Sequence, residues 1–551
     1  MSVATGQRGE LAVSIVAAVV ALVVGVADFS GSFRQVDVLD FGSDTLITIS
    51  RALAQYDPSI YAGDFLFSSP QNYKFYNNAS VWFFYLVESL GSGNFSTWYR
   101  ALNILVVALF LFSWFFLAYR LYRSSICAAA FTVSCAVAIP VLSGDYWGLF
   151  NEPQARQMFS AVLPLIILAA LEARPRVLDW MGVFLLMGMA MWLHPASGPP
   201  IALALLLSMM ASQYEKKQLP LLVLRAALGG IVFLAFALPN IWQYYLGIRE
   251  AAVGADPQLV RMAWELRYSS DYTDPVNGVL AAVTRAFGGW RLVLPIFATI
   301  GACLLLRRND GEIRPKVRMI LVFTLAIAFL AGGVPVIEAG VARAMGRTPM
   351  QMDLVRGLRY LVPMLLLIAF WSVAHHVRAT KAMQIFVSLA LAAVWIAASQ
   401  LSPRYRQNDN VLAGIKCWLK AHPICPTTGE TDLQRVLAEL SDREAFPGKV
   451  FSPEFGLQIR SYARRELAFD WKDTGWLAYS NHKKLTDNLS NMETYKAIAS
   501  MPDGPEKQRA WLAFGSSVGA GVVVVDAIAG FSDPAFPTLR RFGGLAIYSN
   551  P

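Results

Sequence analysis

Apolar runs long enough to cross a bilayer recur along the whole chain, and the breaks between them carry either basic clusters or polar, aromatic loops. A crossing helix needs roughly 20 apolar residues, so the pattern has room for about eleven spans. They are expected at 11–29, 98–119, 125–142, 157–172, 178–193, 198–213, 221–246, 290–306, 319–337, 353–372 and 382–400. Strict alternation then places the basic clusters at 120–123, 174–176, 216–217, 307–318 and 378–381 on one face, together with Arg8. Lys and Arg in short loops mark the cytoplasmic side. The N-terminus is therefore expected inside and everything beyond residue 402 outside. Long polar loops all fall on that outer side, so chemistry is expected there.

Composition closes off other classes. Of 551 residues, 56% are hydrophobic and only 15% charged, which excludes an ordinary soluble domain. The net charge is +9, but its basic residues sit beside the spans as topology signals, so membrane lipid is an expected partner and nucleic acid is not. The N-terminal MSVATGQRGE precedes an apolar run as a signal peptide would. That run is long and lacks a small-residue cleavage site, so it is read as the first span. Among five cysteines, Cys127, Cys135 and Cys303 lie in apolar segments and read as packing residues. Cys417 and Cys425, in IKCWLKAHPIC, suit a small-loop disulfide if that segment lies outside the cytoplasm. No CxxC pair or histidine cluster has zinc-ligand spacing.

The first outer loop, 30–79, holds five aspartates: Asp37, Asp40, Asp44, Asp57 and Asp64. Polar backbone of this length must face water or protein rather than hydrocarbon. Residues 45–53 are expected to form a short helix along the membrane surface, with Asp44 at or near its N-cap. Asp44 is then either a cap or a carboxylate held at the boundary to act as a base. Residues 77–90 are expected as a re-entrant or interfacial helix.

Further polar groups sit where capping alone does not require them. Asp145, Glu152 and Arg156 cluster before a span, either as a structural pair or lining a site. His194 ends a helix at the outer boundary, as a cap or a ligand. Arg267, Tyr268, Asp271 and Tyr272 form a polar, aromatic stretch that could bind a sugar by stacking or pack on its neighbours. Arg356, Arg359 and Tyr360 open an apolar run, and intramembrane arginines require anionic partners. A lipid phosphate and an internal carboxylate both serve. Beyond 403 the composition changes: strand-length runs at 449–451, 467–471, 522–525 and 545–548 alternate with helical stretches at 431–440 and 491–500, which reads as a small α/β unit.

Taken together, an acidic first outer loop, many spans and an outward C-terminal domain resemble the GT-C membrane glycosyltransferases, and a group of bacterial multi-pass proteins organised that way. The matching pieces are Ser43-Asp44-Thr45, Tyr56 to Asp64, Leu193-His194-Pro195, Arg356-Gly357-Leu358-Arg359-Tyr360 and Arg465 to Lys472. The resemblance implies a mainly α membrane protein with a GT-C-like bundle over 1–402 and a soluble periplasmic α/β domain over 403–551, in a bacterial inner membrane. It implies a transferase that takes a sugar from a polyprenyl-phosphate donor and passes it to a glycan, lipid or protein acceptor, inverting the anomeric carbon. Asp44 falls at the position of the base, with Asp40 as the substitute, and Arg359 and Arg356 at the donor phosphate. Asp64, Glu152, Arg156, His194, Arg267, Tyr268, Asp271, Tyr272 and Tyr360 are the accompanying candidates for substrate binding. Many relatives of known activity carry an adjacent acidic pair at the base position, whereas Asp44 lies between Ser43 and Thr45; this leaves a divalent metal requirement open, and no other cofactor is implied. Competing readings are a non-catalytic envelope scaffold or lipid-phosphate-binding protein, and a transporter or flippase. Short inner loops and the lack of Gly/Pro-broken spans in matched halves speak against transport.

Overall fold

Eight helices among the described residues are long and apolar enough to cross a membrane: Glu10–Ser32, Phe95–Tyr122, Ala155–Glu172, Leu219–Ala251, Gly289–Leu306, Ile313–Ala344, Leu354–His376 and Lys381–Ser399. The chain is a membrane protein, and each of these helices falls on an expected span. The computed structural model describes residues 2–34, 41–91, 94–251, 253–307, 311–345, 352–377, 380–400, 409–427 and 429–550. Asp37 and Asp40 lie outside the described residues. Three more expected spans meet shorter apolar helices, Ser125–Ala136, Val177–Ala190 and Gly198–Ser212. At about 1.5 Å per residue these fall short of the hydrocarbon thickness. One was read too long because residues 137–142 are as apolar as the helix before them. They instead enter an antiparallel hairpin, β1 (Ile139–Leu142) with β2 (Asp145–Trp147), turned by Ser143 and Gly144 at φ 73°.

The chain divides into two compact units, each assembled from separate stretches. The first comprises Met1–Ser32, Tyr99–Pro239 and Ser270–Cys425. Here the helix Ser2–Ser32 packs against Asp409–Leu419. Backbones approach so closely at this crossing that a Cβ on Gly31 would collide with the Asn410 carbonyl, and one on Gly414 with that of Ala27. Cys417 and Cys425 are joined by a disulfide, Cα–Cα 5.4 Å, and the Cys425 N–H donates to the Ser30 carbonyl at 3.1 Å. Inside the bundle Asn103 Nδ2 donates to Asp28 Oδ2 at 2.7 Å, pairing two buried polar side chains within an apolar interior.

The second unit comprises Phe33–Trp98, Asn240–Ser269 and Pro426–Pro551. The first-loop helix runs Ser43–Tyr56, longer than expected. Gly42, extended at φ −71° and ψ 162°, is its N-cap and makes no side-chain cap bond. Asp44 therefore stands inside the first turn instead of capping it. Residues 45–54 are all buried, and the face around Leu46 and Ser50 meets Ser461, whose Oγ donates to the Leu46 carbonyl at 2.9 Å. A further helix, Ala79–Ser89, is capped by Asn78, which accepts from the Val81 N–H at 3.1 Å.

A four-stranded mixed sheet, ordered β3 (Val450–Phe451), β4 (Val522–Asp526), β6 (Leu545–Ser549), β5 (Thr538–Phe542), completes this unit. β3 and β4 are parallel, and the other pairs antiparallel. Residues 522–525 and 545–548 are buried on both faces, as unbroken apolar runs require. The helix Asp432–Leu440, started by a Thr431–Gln434 capping box, covers one side with Leu433, Val436 and Leu440. The expected strand at 467–471 makes only one bridge, Leu467 to Val450. Asp470 then accepts from the Lys472 N–H at 2.7 Å and starts the helix Trp471–Ser480, so that run ends as a helix cap. β5, with an exposed TLRRF sequence, had no apolar signal to announce it.

Candidate functional site

The β1–β2 hairpin carries Asp145 into the first unit, where it is 2% exposed. Two guanidiniums meet there. Arg156, from the first turn of the helix Ala155–Glu172, and Arg359 both donate through Nη1 to Asp145 Oδ1, each at 2.8 Å. Asp145 Oδ2 and Arg359 Nε are buried without a hydrogen-bond partner among the described residues. Arg359 is 4% exposed and lies within a helix long and apolar enough to span. Burying such ions is costly, and one shared oxygen pairs both cations only in part.

Around this pair the other polar groups form a connected network. Arg156 Nε donates to Gln154 Oε1 at 2.7 Å, and Gln154 Nε2 donates to Glu152 Oε1. The Arg156 guanidinium lies 4.8 Å from the Tyr146 ring centroid and 5.2 Å from that of Phe150, a cation–π setting. Across from it, Tyr360 OH donates to Ser197 Oγ at 2.9 Å, and Arg359 Nη2 reaches the same oxygen at a loose 3.4 Å. His194 Nδ1 lies 2.9 Å from Ser197 Oγ and accepts from the Ser197 N–H at 3.2 Å. With Nδ1 accepting, a neutral ring carries its proton on Nε2.

The hairpin is itself held in place by candidate residues. Asp271 Oδ2 accepts from the Ser143 N–H at 3.2 Å and pairs with Arg285. Tyr272 OH donates to the Ser143 carbonyl at 2.7 Å, and the Arg356 guanidinium stands 5.0 Å from the Tyr272 ring. Glu152, Arg156, His194, Asp271, Tyr272, Arg356, Arg359 and Tyr360 thus gather in one unit, with Asp145 and Ser197 as the joints. Ser197 carried no signal of its own. Asp145 was visible as a neighbour of Arg156, but nothing in the sequence linked it to Arg359.

The remaining candidates lie in the second unit. Tyr268 OH donates to the Gly475 carbonyl at 3.0 Å, and Arg267 stands 5.5 Å from the Trp471 ring, so both pack on the helix Trp471–Ser480. The Arg267–Tyr272 stretch is therefore divided between the units. Asp64 is 1% exposed; its carboxylate accepts from the N–H groups of Leu66, Phe67 and Leu467 and from Arg460 Nε at 2.9 Å. Arg460 also forks onto both oxygens of Asp473. Burial pushes Asp473 and the neighbouring Asp470 above the usual aspartate range, with Arg460 pulling the other way. One guanidinium among three enclosed carboxylates is a structural knot tying the first loop to residues 460–473. Asp44, by contrast, keeps a side chain 55% exposed, paired with Lys472 Nζ at 2.5 Å.

Comparison with known proteins finds no family model and no curated protein that matches the chain.

Proposed function

We propose that this membrane protein is a glycosyltransferase that moves a sugar from a polyprenyl-phosphate donor to a glycan, lipid or protein acceptor on the periplasmic face, with the sheet-bearing residues 426–551 on that side. The observation that carries this reading is Arg359: a buried guanidinium on a spanning helix, sharing a single carboxylate oxygen with Arg156 and keeping Nε without an acceptor. Guanidinium forks bind phosphate bidentately and stabilise the charge that develops on a leaving phosphate. The resemblance gives the base role to Asp44 of the second unit: a carboxylate takes the proton of the acceptor hydroxyl as that hydroxyl oxygen bonds to the anomeric carbon. The bond from that carbon to the donor oxygen breaks, and its electron pair leaves with the lipid phosphate.

Two contacts favour a second reading, a lipid-phosphate-binding scaffold without catalysis. Asp145 already engages both arginines, and Lys472 engages the carboxylate that must act as base. The deciding experiment adds undecaprenyl monophosphate to the detergent-solubilised chain and follows thermal unfolding, then supplies a sugar-loaded polyprenyl phosphate with an acceptor glycan and follows sugar transfer. Wild type is expected to gain stability and Arg359→Gln to lose that gain. Asp44→Asn is expected to keep the gain while losing transfer by about 10²–10⁴-fold. Equal stabilisation of wild type and Arg359→Gln overturns the phosphate site; wild-type transfer by Asp44→Asn removes Asp44 as the base, and stabilisation of the wild type without any transfer leaves the scaffold reading.

A further inference from the structure

At the carboxyl ends of the neighbouring parallel strands β3 and β4, beside the first turns of the helix Pro505–Ser517, lies a cleft of about 120 Å³. Loops diverge at that end of parallel strands, which is where such sheets commonly take ligands. All of its wall comes from residues 452–528 of the second unit. Phe455, Trp511 and Val524 supply apolar surface, while the exposed side chains of Glu454 and Asp526 bring negative charge to the same cleft. Lys507, the one cation in the lining, is engaged with Asp503 at 2.9 Å.

What the cleft lacks has a chemical sign. Glu454 and Asp526 make no side-chain hydrogen bond or ion pair among the described residues. Gln508, 4% exposed, donates through Nε2 to the Asp526 carbonyl at 3.0 Å and to Tyr548 OH at 3.0 Å, but its Oε1 is buried with no donor. Leaving a buried acceptor unmade is costly, so this oxygen is a demand the chain itself does not meet. The unfilled oxygens of Glu454, Asp526 and Gln508 are all acceptors. Among the described residues no group of three or more His, Cys, Asp or Glu is placed to hold a metal ion.

We propose that this cleft binds a primary ammonium group, an organic amine whose three N–H donors meet the carboxylates of Glu454 and Asp526 and Oε1 of Gln508. Its methylenes lie against Trp511 and Val524. This site is independent of the arginine network in the first unit, so either proposal can fail alone. Partial desolvation beside the cleft pushes the Glu454 carboxyl up, Asp526 and Asp503 add to the rise, and Lys507 opposes it. Binding needs the ionised form. Affinity for an amine therefore falls on acidification at a pH where an isolated glutamate would still be charged.

The test is calorimetric titration of the solubilised full chain with 1,5-diaminopentane at low ionic strength, with glucose and 1-pentanol as neutral probes. One saturable diamine site is expected, with Glu454→Gln and Asp526→Asn each weakening it about tenfold or more. Both variants should keep the cooperative thermal unfolding transition of the wild type, which shows that they fold. Equal diamine affinity in wild type and Glu454→Gln, no saturable diamine site in wild type, or binding of glucose in its place overturns the proposal.

Discussion

Arg51 shows how differently two buried arginines of the same unit are treated. It sits on the helix Ser43–Tyr56, 4% exposed, with Nε and Nη1 meeting no acceptor among the described residues and the Tyr73 ring 5.9 Å away. Burial lowers its guanidinium to about 10, with only a weak upward pull from Tyr73 and Tyr76. Arg460, equally buried, has Asp64 and Asp473 on three of its N–H groups. An uncompensated ion gains little from its surroundings, whereas removing one partner of a compensated one strands the other. Arg51→Met is thus expected to leave the unfolding temperature unchanged or raise it. Asp64→Ala is expected to lose about 3–5 kcal/mol in the same thermal scan. A clear drop on Arg51→Met would mean that its charge is satisfied in the folded protein.

At the scale of elements, the crossing of Ser2–Ser32 with Asp409–Leu419 rests on two glycines and a disulfide. Gly31→Ala and Gly414→Ala each place a methyl on a backbone carbonyl, so either must push the helices apart. Reducing Cys417–Cys425, separated by eight positions, removes a small closed loop worth about 2–3 kcal/mol on the chain-entropy estimate. Reduction and Gly414→Ala act on the same crossing, so their effects on unfolding temperature are expected to be less than additive. Full additivity would show that the disulfide and the crossing act separately. The sequence carried the apolar helices and the two cysteines well, because length, composition and spacing are local properties. It did not carry the glycine crossing, since Gly31 and Gly414 are remote from one another along the chain. The β1–β2 hairpin was hidden for a related reason: buried strand and buried helix have the same apolar composition, so periodicity could not separate them. Charges in an apolar run flagged Arg356 and Arg359, and the cluster before a span flagged Arg156 together with Asp145, yet the Asp145–Arg359 contact, the role of Ser197 and the Arg460–Asp473 fork depend on tertiary contact alone.

For the whole molecule, orientation follows from the charges flanking the spanning helices. Arg120 pairs with Glu172, and Arg123 with Glu312, so basic ends of separate helices are gathered through partners in other basic connectors of the first unit. These are the connectors that the charge rule assigns to the cytoplasm. A disulfide persists in an oxidising compartment, which argues that the segment of Cys417 and Cys425 lies on the other side. We expect an alkaline phosphatase fused after Pro551 to be active and one fused after Arg176 to be inactive. Green fluorescent protein, which folds poorly when exported unfolded, should give the opposite pair of results. Active phosphatase at Arg176 with a fluorescent C-terminal fusion would invert the topology. The arginine network would then have to be sought from the cytoplasmic face, and a periplasmic transferase could not use it.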